Sequence, residues 1–420
     1  MLISLKANNY RIYNSEVEFS LRANMHYKNF RSNCSEHPNI NILKTAILIG
    51  PNNSGKTNFV RAIATMRDIM LNENPVIQKN LFTVDPVCEL SVSFLESNHE
   101  YLFEVRYDTE KHEYIYERFA EIIRDTYGNV KENNLLERDV INDRYVSADE
   151  NLIPVMQVAS RNNILIHLIS TERFPVLNTI KNAMLSFASR IDIIDMNNIP
   201  INKTIDMLKL SDEAQKKIAS FILNADLSLD DYRYLSDDEI KLDLKWDKDS
   251  KPQEAVLAVQ NSLVEMMHLA SVYKGVTVPS MLFDSTGTKK MAALASYVIN
   301  ALEQNRILVV DELDNSLHFK LTRAIIALFN NELNADAQLV ATVHDVSLLD
   351  CKTLFRKEQI WFAHKDRDNA YLYSLAEFKS DKNGIRSTTD LIEQYRRGVF
   401  GALPEPDLFN SLLKKVRSNV

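Results

Sequence analysis

Apolar positions keep a two-residue period at the start of this chain and a helical period further on. Leu2–Ala7 and Glu16–Leu21 alternate weakly on either side of Asn8-Asn9-Tyr10-Arg11, which predicts two strands joined by a turn. Ile42–Ile49 is apolar and predicts a buried strand, running straight into a loop of small and polar residues. Asn58–Leu71 then places Phe59, Ile63, Met66 and Met70 at helical spacing. Cys88–Leu95 and Tyr101–Tyr107 return to the strand period and predict an antiparallel continuation of the same lobe.

From about residue 120 the character changes. Pro175–Ser189, Thr204–Leu210 and Asp212–Asn224 have helical periodicity, and Ser211 followed by Asp212 and Glu213 is a helix-start signal. Leu263–Val272 predicts a strand and Lys290–Glu303 a helix. Next come a strand at Arg306–Val310, a helix at Phe319–Asn330 and a strand at Gln338–Val343 that ends on His344. Strands alternating with helices predict an α/β fold with a mostly parallel sheet. The pattern divides into an N-terminal lobe (1–120), a mainly helical insertion (121–260), a C-terminal lobe (261–375) and a tail (376–420). No internal repeat or sustained heptad run is present.

Composition narrows the class. Of 420 residues, 45% are hydrophobic and 25% charged, an ordinary globular mix that excludes a disordered chain, a collagen-like fibre and a disulfide scaffold. No apolar run is long enough to span a membrane, and the N-terminus lacks a signal-peptide layout, so a cytoplasmic protein is expected. Cys34, Cys88 and Cys351 have no metal-ligand spacing and are expected to be inert. The net charge of −8 does not point to generic nucleic-acid coating. It is uneven, with a basic excess before residue 70 and an acidic run over 225–250 that reads as a solvated surface. Glycine is scarce, 8 of 420 residues, so glycines are expected where no other residue suits the backbone or the space.

Two of the eight fall in Gly50-Pro51-Asn52-Asn53-Ser54-Gly55-Lys56-Thr57, between a predicted strand and a predicted helix. That is a complete P-loop in its required context. Backbone N–H groups turn inward around phosphate oxygens, Lys56 reaches the β- and γ-phosphates, and the Thr57 hydroxyl binds Mg²⁺. Ile307-Leu308-Val309-Val310-Asp311-Glu312 delivers two carboxylates at the C-terminal end of a buried strand, where ligands bind in open α/β sheets. Asp311 is the expected Mg²⁺ ligand and Glu312 the base that polarises water. Ser285-Thr286-Gly287-Thr288, just ahead of a helix, can present N–H and O–H donors to a phosphate. His344, at the end of a neighbouring strand, is placed to touch a γ-phosphate.

In these residues the chain resembles the ABC-type ATPase superfamily, in the branch of SMC proteins, RecF and the overcoming-lysogenisation-defect ATPases. It looks most like the stand-alone ATPases of anti-phage loci, the AbiL and RloA type and the AriA subunit of PARIS. The carriers are Asn9-Tyr10-Arg11, Leu43 through Asn58, Asp284 through Lys289, Asp311 through His318, Thr342 through Asp345, and Tyr395 through Pro404. The resemblance implies a two-lobed ABC-type head binding ATP with Mg²⁺. Gly50 through Asn58 and Asp314 would hold nucleotide in one protomer, and Ser285, Thr286 and Gly287 would close over it from another. It therefore implies a homodimer or higher oligomer with slow hydrolysis by Glu312 and His344.

There are departures. Thr286 stands where such signatures usually carry the first of two glycines, and Gln78 is only a candidate for the glutamine loop. The stretch after His344 is shorter than an appended nuclease domain, so cutting is expected to come from another chain. Two function classes follow. One is a sensor ATPase that holds a separately encoded toxin or nuclease and releases it on a phage-protein trigger. The alternative is a RecF- or SMC-like DNA-repair clamp, with a transporter subunit a distant third. His268 and the Met/Phe stripe of 175–190 are expected to be core. Arg396-Arg397 with Lys414, Lys415 and Arg417 are candidates for a partner or nucleic acid, or simply a solvated helix face.

Overall fold

The computed structural model describes residues 1–125, 129–225, 229–236, 238–240, 263–366, 368–378 and 389–403. The chain opens with β1 (Leu2–Asn8) and β2 (Val17–Ser20), a hairpin of β3 (Cys34–His37) and β4 (Ile40–Leu43), and the fully buried β5 (Thr45–Ile49). The Lys56–Leu71 helix follows. A meander comes next: β6 (Val87–Glu96), β7 (His99–Asp108), β8 (Glu113–Arg124), β9 (Val130–Asp139) and β10 (Arg144–Ser147). β11 (Ile191–Asp195) comes after the Pro175–Ala188 helix. β12 (Asp231–Tyr234), β13 (Leu269–Tyr273) and β14 (Val276–Pro279) precede the Thr286–Glu303 helix. β15 (Ile307–Asp311), β16 (Gln338–Val343), β17 (Ile360–Asp366) and β18 (Asn369–Ser374) close the sheet, and a short Leu391–Arg396 helix packs behind.

The centre is a six-stranded sheet in the order β11-β15-β16-β5-β17-β18, parallel except for the last pairing. Its strands are buried on both faces, and the two-residue period sorts their side chains. Ala46, Leu48, Val309 and Val340 pack towards Phe59, Ile63 and Met66 of the Lys56–Leu71 helix. Their neighbours Ile47, Ile49, Leu308, Val310 and Leu339 pack the other way, towards Leu294, Val298, Ile325 and Phe329. Each such side chain contributes about 1.5–3 kcal/mol on burial, so a register slip by one residue would exchange both layers at once.

A second, antiparallel sheet runs β10-β9-β8-β7-β6-β1-β2. The buried Gln338 side chain ties it to the centre, accepting from Leu2 N–H at 2.6 Å and donating to the carbonyls of Leu2 and Leu43 at 2.9 and 3.0 Å. A smaller unit, in which the helices Asn202–Leu210 and Asp212–Ala225 pack with β12–β14 on the Thr286–Glu303 helix, has its own core around Ile205, Ile218, Ile222, Tyr232 and Leu269. Ser211 accepts from Ala214 N–H at 3.2 Å, the helix-start contact its position predicts.

The expected α/β class, with a mostly parallel sheet plus antiparallel strands, is the observed one. Details differ. A boundary at 120 falls inside β8, whose pairing with β9 and then β10 carries the antiparallel sheet on to Ser147. The cause of the misplacement is visible: Lys131, Glu132, Asn133 and Asn134 put a polar run into β9, and β11, read as part of the insertion, is the edge strand of the central sheet. The strand expected over Leu263–Val272 is helical at 263–267 and begins only at Leu269. A short apolar run fits either element by periodicity. Residues 241–262, and the tail from Pro404 with Lys414, Lys415 and Arg417, lie outside the described residues.

Candidate functional site

The loop between β5 and its helix is held from below. Gly55 stands at φ 112°, and a Cβ there would meet Ile12 and Tyr13, whose hydroxyl donates to the Gly55 carbonyl at 2.9 Å. A Cβ on Gly50 would sit 2.3 Å from the Ala363 carbonyl oxygen on β17. Both positions therefore require glycine. Ser54 Oγ is buried in the loop without a partner, while Asn52, Asn53 and Thr57 are exposed and Pro51 and Asn58 half-buried. Lys56 Nζ donates to the carbonyls of Gly50 and Pro51 at 2.7 and 2.9 Å. Burial lowers its pKa, against the opposing pull of Asp311, Glu312 and Asp314, so the loop and the carboxylates share one electrostatic site.

Two strands from β5, with β16 between, β15 ends in those carboxylates. Thr342 on β16 joins them, donating its hydroxyl to Asp311 Oδ1 at 2.6 Å and accepting from Glu312 N–H at 2.7 Å. Glu312 has a left-handed backbone, φ 58°, which a non-glycine residue adopts only where its surroundings impose it. Its Oε2 accepts from Asn197 Nδ2 at 2.9 Å and Asn315 Nδ2 at 3.1 Å, and His344 Nε2 lies 3.6 Å from Oε1. The Asn197 amide, against a desolvation cost and with help from Asn315 and His344, holds the Glu312 carboxyl below the usual range. Asp314 is turned inward: its Oδ2 accepts from the backbone N–H groups of His344 and Asp345 at 2.7 and 2.6 Å, and its Oδ1 is buried without a partner.

The Ser285 loop lies beyond Asn315. Ser285 caps the Thr286–Glu303 helix, its Oγ accepting from Thr288 N–H at 3.1 Å. A Cβ on Gly287 would stand 3.1 Å from the Ser316 carbonyl oxygen. Lys290, one turn on, donates to Asn315 Oδ1 at 3.0 Å and Ser316 Oγ at 3.2 Å. Asp284 anchors the loop, accepting hydroxyls from Ser271 (2.6 Å), Ser280 (2.5 Å) and Tyr273 (2.8 Å).

Residues 46–350, most of the chain, match the family described as "AAA domain, putative AbiEii toxin, Type IV TA system". The chain belongs to that family. As an AAA-domain protein it carries an ATPase-family domain, and the matched span contains the P-loop, the Ser285 loop, the β15 carboxylates and His344. No curated protein matches the sequence. Among solved structures it is similar to an SMC head bound to the C-winged helix domain of ScpA, at 12% identity and TM-score 0.45, covering 89% of this chain and 97% of that one. It is also similar to the SMC head domain from Thermotoga maritima, at 12% identity and TM-score 0.41, covering 89% and 98%. At those values no property of either head transfers.

Within this AAA-domain protein, the structure brings Lys56, Asp311, Glu312, Asp314 and His344 to the C-terminal ends of the interior strands β5, β15 and β16. Gln78 is exposed, and what it offers is a backbone carbonyl that accepts from Arg11 N–H at 2.9 Å. His268 is buried, bonded to the Leu235 carbonyl at 2.8 Å and stacked on Tyr234, a core role. Leu391, Tyr395, Phe400 and Ala402 of the tail are buried against the head, with the Phe400 ring 4.8 Å from Phe362 and Tyr395 donating to the Ala402 carbonyl at 2.7 Å. Gly398 and Gly401 take φ 76° and 67° to make that turn, leaving Arg396 and Arg397 exposed. Sequence reasoning assigned no role to Thr342, Asn197 or Asn315. Thr342 was within reach, two residues before His344; Asn197 was not, because nothing local marks the end of an edge strand.

Among the described residues, no helix is long and apolar enough to cross a membrane. Nor does any group of His, Cys, Asp and Glu there suit a metal ion held by protein ligands alone.

Proposed function

We propose that this chain is an ATP-binding and slowly hydrolysing sensor subunit of an anti-phage defence system, whose ATP-dependent self-association holds and releases a separately encoded toxin or nuclease. The observation that carries the ATP half is that Lys56, in the loop after β5, and Asp311 with Glu312, at the end of β15, stand at the C-terminal ends of strands of one parallel sheet, with only β16 between them. The loop fits a Mg²⁺–nucleotide: its two glycines keep the cradle clear, and the orphaned Ser54 hydroxyl lies inside it. Thr57 and Asp311 would hold Mg²⁺, which when bound neutralises phosphate charge. Lys56, now bonded to its own loop, exchanges those carbonyls for β- and γ-phosphate oxygens. Glu312 takes the proton of the attacking water, and His344 orients the water or the γ-phosphate beside Glu312 Oε1.

The placement of Ser285 supports a composite site. Its loop lies beside Asn315 and Ser316, and Ser285 and Thr286 are exposed there, open to a second copy. In a two-fold dimer each Ser285 loop would then close over the partner's P-loop. ATP bridging the two faces makes nucleotide a switch between assemblies. The family's "putative AbiEii toxin, Type IV TA system" description supports the toxin-linked reading. The exposed part of the tail, at Arg396 and Arg397, and the surface of the helical unit are the candidate docking sites for that partner.

The test is co-purification with the product of the neighbouring gene, with and without ATP. A nuclease-like or toxin-like partner released on an ATP-state change agrees with this reading. ATP-dependent DNA binding with no protein partner would replace it with the repair clamp.

A further inference from the structure

Glu312 is gripped by a closed ring of side-chain amides that ATPase chemistry does not by itself require. Asn197, two residues beyond β11, donates one amide hydrogen to Glu312 Oε2 at 2.9 Å and the other to Asp195 Oδ1 at 3.0 Å. Its own Oδ1 accepts from Asn315 Nδ2 at 2.7 Å, and Asn315 gives its second hydrogen to the same Glu312 Oε2 at 3.1 Å. Every hydrogen of both amides is used. Asn197 is itself fixed: its backbone N–H donates to Asp195 Oδ1 at 2.8 Å, and the preceding Met196 N–H donates to the Asp311 carbonyl at 3.0 Å. The carboxylate is thus left with one oxygen occupied twice and the other, Oε1, facing His344.

The geometry points to Asn197 as a positioning residue for Glu312: by occupying Oε2 together with Asn315, it selects Oε1 as the atom that takes the proton from water. This rests on the reading of Glu312 as the base. The water's O–H bond breaks and its proton goes to Oε1. The water oxygen bonds to the γ-phosphorus as the bond from that phosphorus to the β–γ bridging oxygen breaks, the electron pair leaving with ADP; Asn197 exchanges no proton. Asparagine suits the role because one amide is a donor to Glu312 and an acceptor from Asn315 at once. Aspartate of the same shape cannot donate and would set a second negative charge beside the first.

The first experiment needs no turnover. Thermal unfolding of nucleotide-free wild type, Asn197→Asp, Glu312→Gln and the double variant forms a cycle. Asn197→Asp is expected to lower the midpoint by roughly 2–4 °C. In the double variant the amide and carboxylate have exchanged places, so most of the loss relative to Glu312→Gln alone should be recovered, short of the bond to Asp195 that neither background keeps. An equal loss in both backgrounds would mean that position 197 serves local structure only, and would overturn the inference. The second readout separates binding from chemistry. Asn197→Asp should cut single-turnover hydrolysis roughly 10–100-fold with ATP affinity unchanged, and Asn197→Ala should cut it less. Wild-type hydrolysis in Asn197→Asp, with Glu312→Gln inactive, overturns this inference alone. Wild-type hydrolysis in Glu312→Gln overturns the base assignment and the inference with it.

Discussion

The two halves of the candidate site are built in opposite ways. Lys56 is held by carbonyls five and six residues away in its own loop, on a strand and helix contiguous in sequence. Glu312 is held by Asn197, 115 residues upstream, by Thr342, 30 residues downstream, and by the near neighbour Asn315. A phosphate cradle needs only a turn and a helix start, which one short segment can provide. A base must have its reactive oxygen fixed in direction, and that takes donors arriving from several strands. The first half is thus a motif, while the second is a product of the sheet order, in which β11 and β16 flank β15.

That difference can be broken from either side. The largest effect should come from Lys56→Ala, which removes the cation from the cradle and abolishes measurable ATP binding; equal affinity in wild type and variant would refute the loop's role. Gly50→Ala should be nearly as severe, because the added Cβ would stand 2.3 Å from the Ala363 carbonyl oxygen, in backbone that cannot yield cheaply. Binding by fluorescent nucleotide would show the loss. Glu312→Gln should leave binding intact and slow hydrolysis by roughly 10²–10⁴-fold, the range for removing a general base. Phosphate release at saturating ATP checks it. Thr342→Val keeps the shape but deletes the hydroxyl that Asp311 and Glu312 share, and about a tenfold fall in turnover with little change in affinity is expected. The smallest is Tyr395→Phe, which loses one hydrogen bond to the Ala402 carbonyl and costs about 0.5–1.5 kcal/mol of stability. Its turnover should be unchanged, since the ring packs far from β15.

The ranking also tracks what the sequence discloses. Gly50 through Thr57 and Ile307 through Glu312 could be placed on loop and strand end because each carries its context with it: an apolar run, then special residues, then a helical period. The predicted helices Asp212–Asn224 and Phe319–Asn330 end within a residue of the observed ones for the same reason. Asn197 was opaque because its meaning depends on β11 pairing with β15, and Ile191–Asp195 is too short and too ordinary to declare that pairing. The extent of the antiparallel sheet was opaque for a different reason. The first half of β9 is polar and exposed on both faces, which hides the strand period and makes the lobe look finished before β8 is complete. Asp314 shows a third limit. Its place after Glu312 suggested nucleotide contact, whereas its Oδ2 is spent on the backbone N–H groups that set His344.

The central claim is that Lys56 of one chain and Ser285 of another make one site. Mixing Lys56→Ala with Ser285→Arg tests it most directly, because each variant alone should be inactive. In a two-fold heterodimer both defects fall in the same composite site, and the other site is left intact. With random assortment, the mixture should recover about a quarter of the wild-type ATPase rate. A mixture as inactive as its components would contradict a site shared between chains.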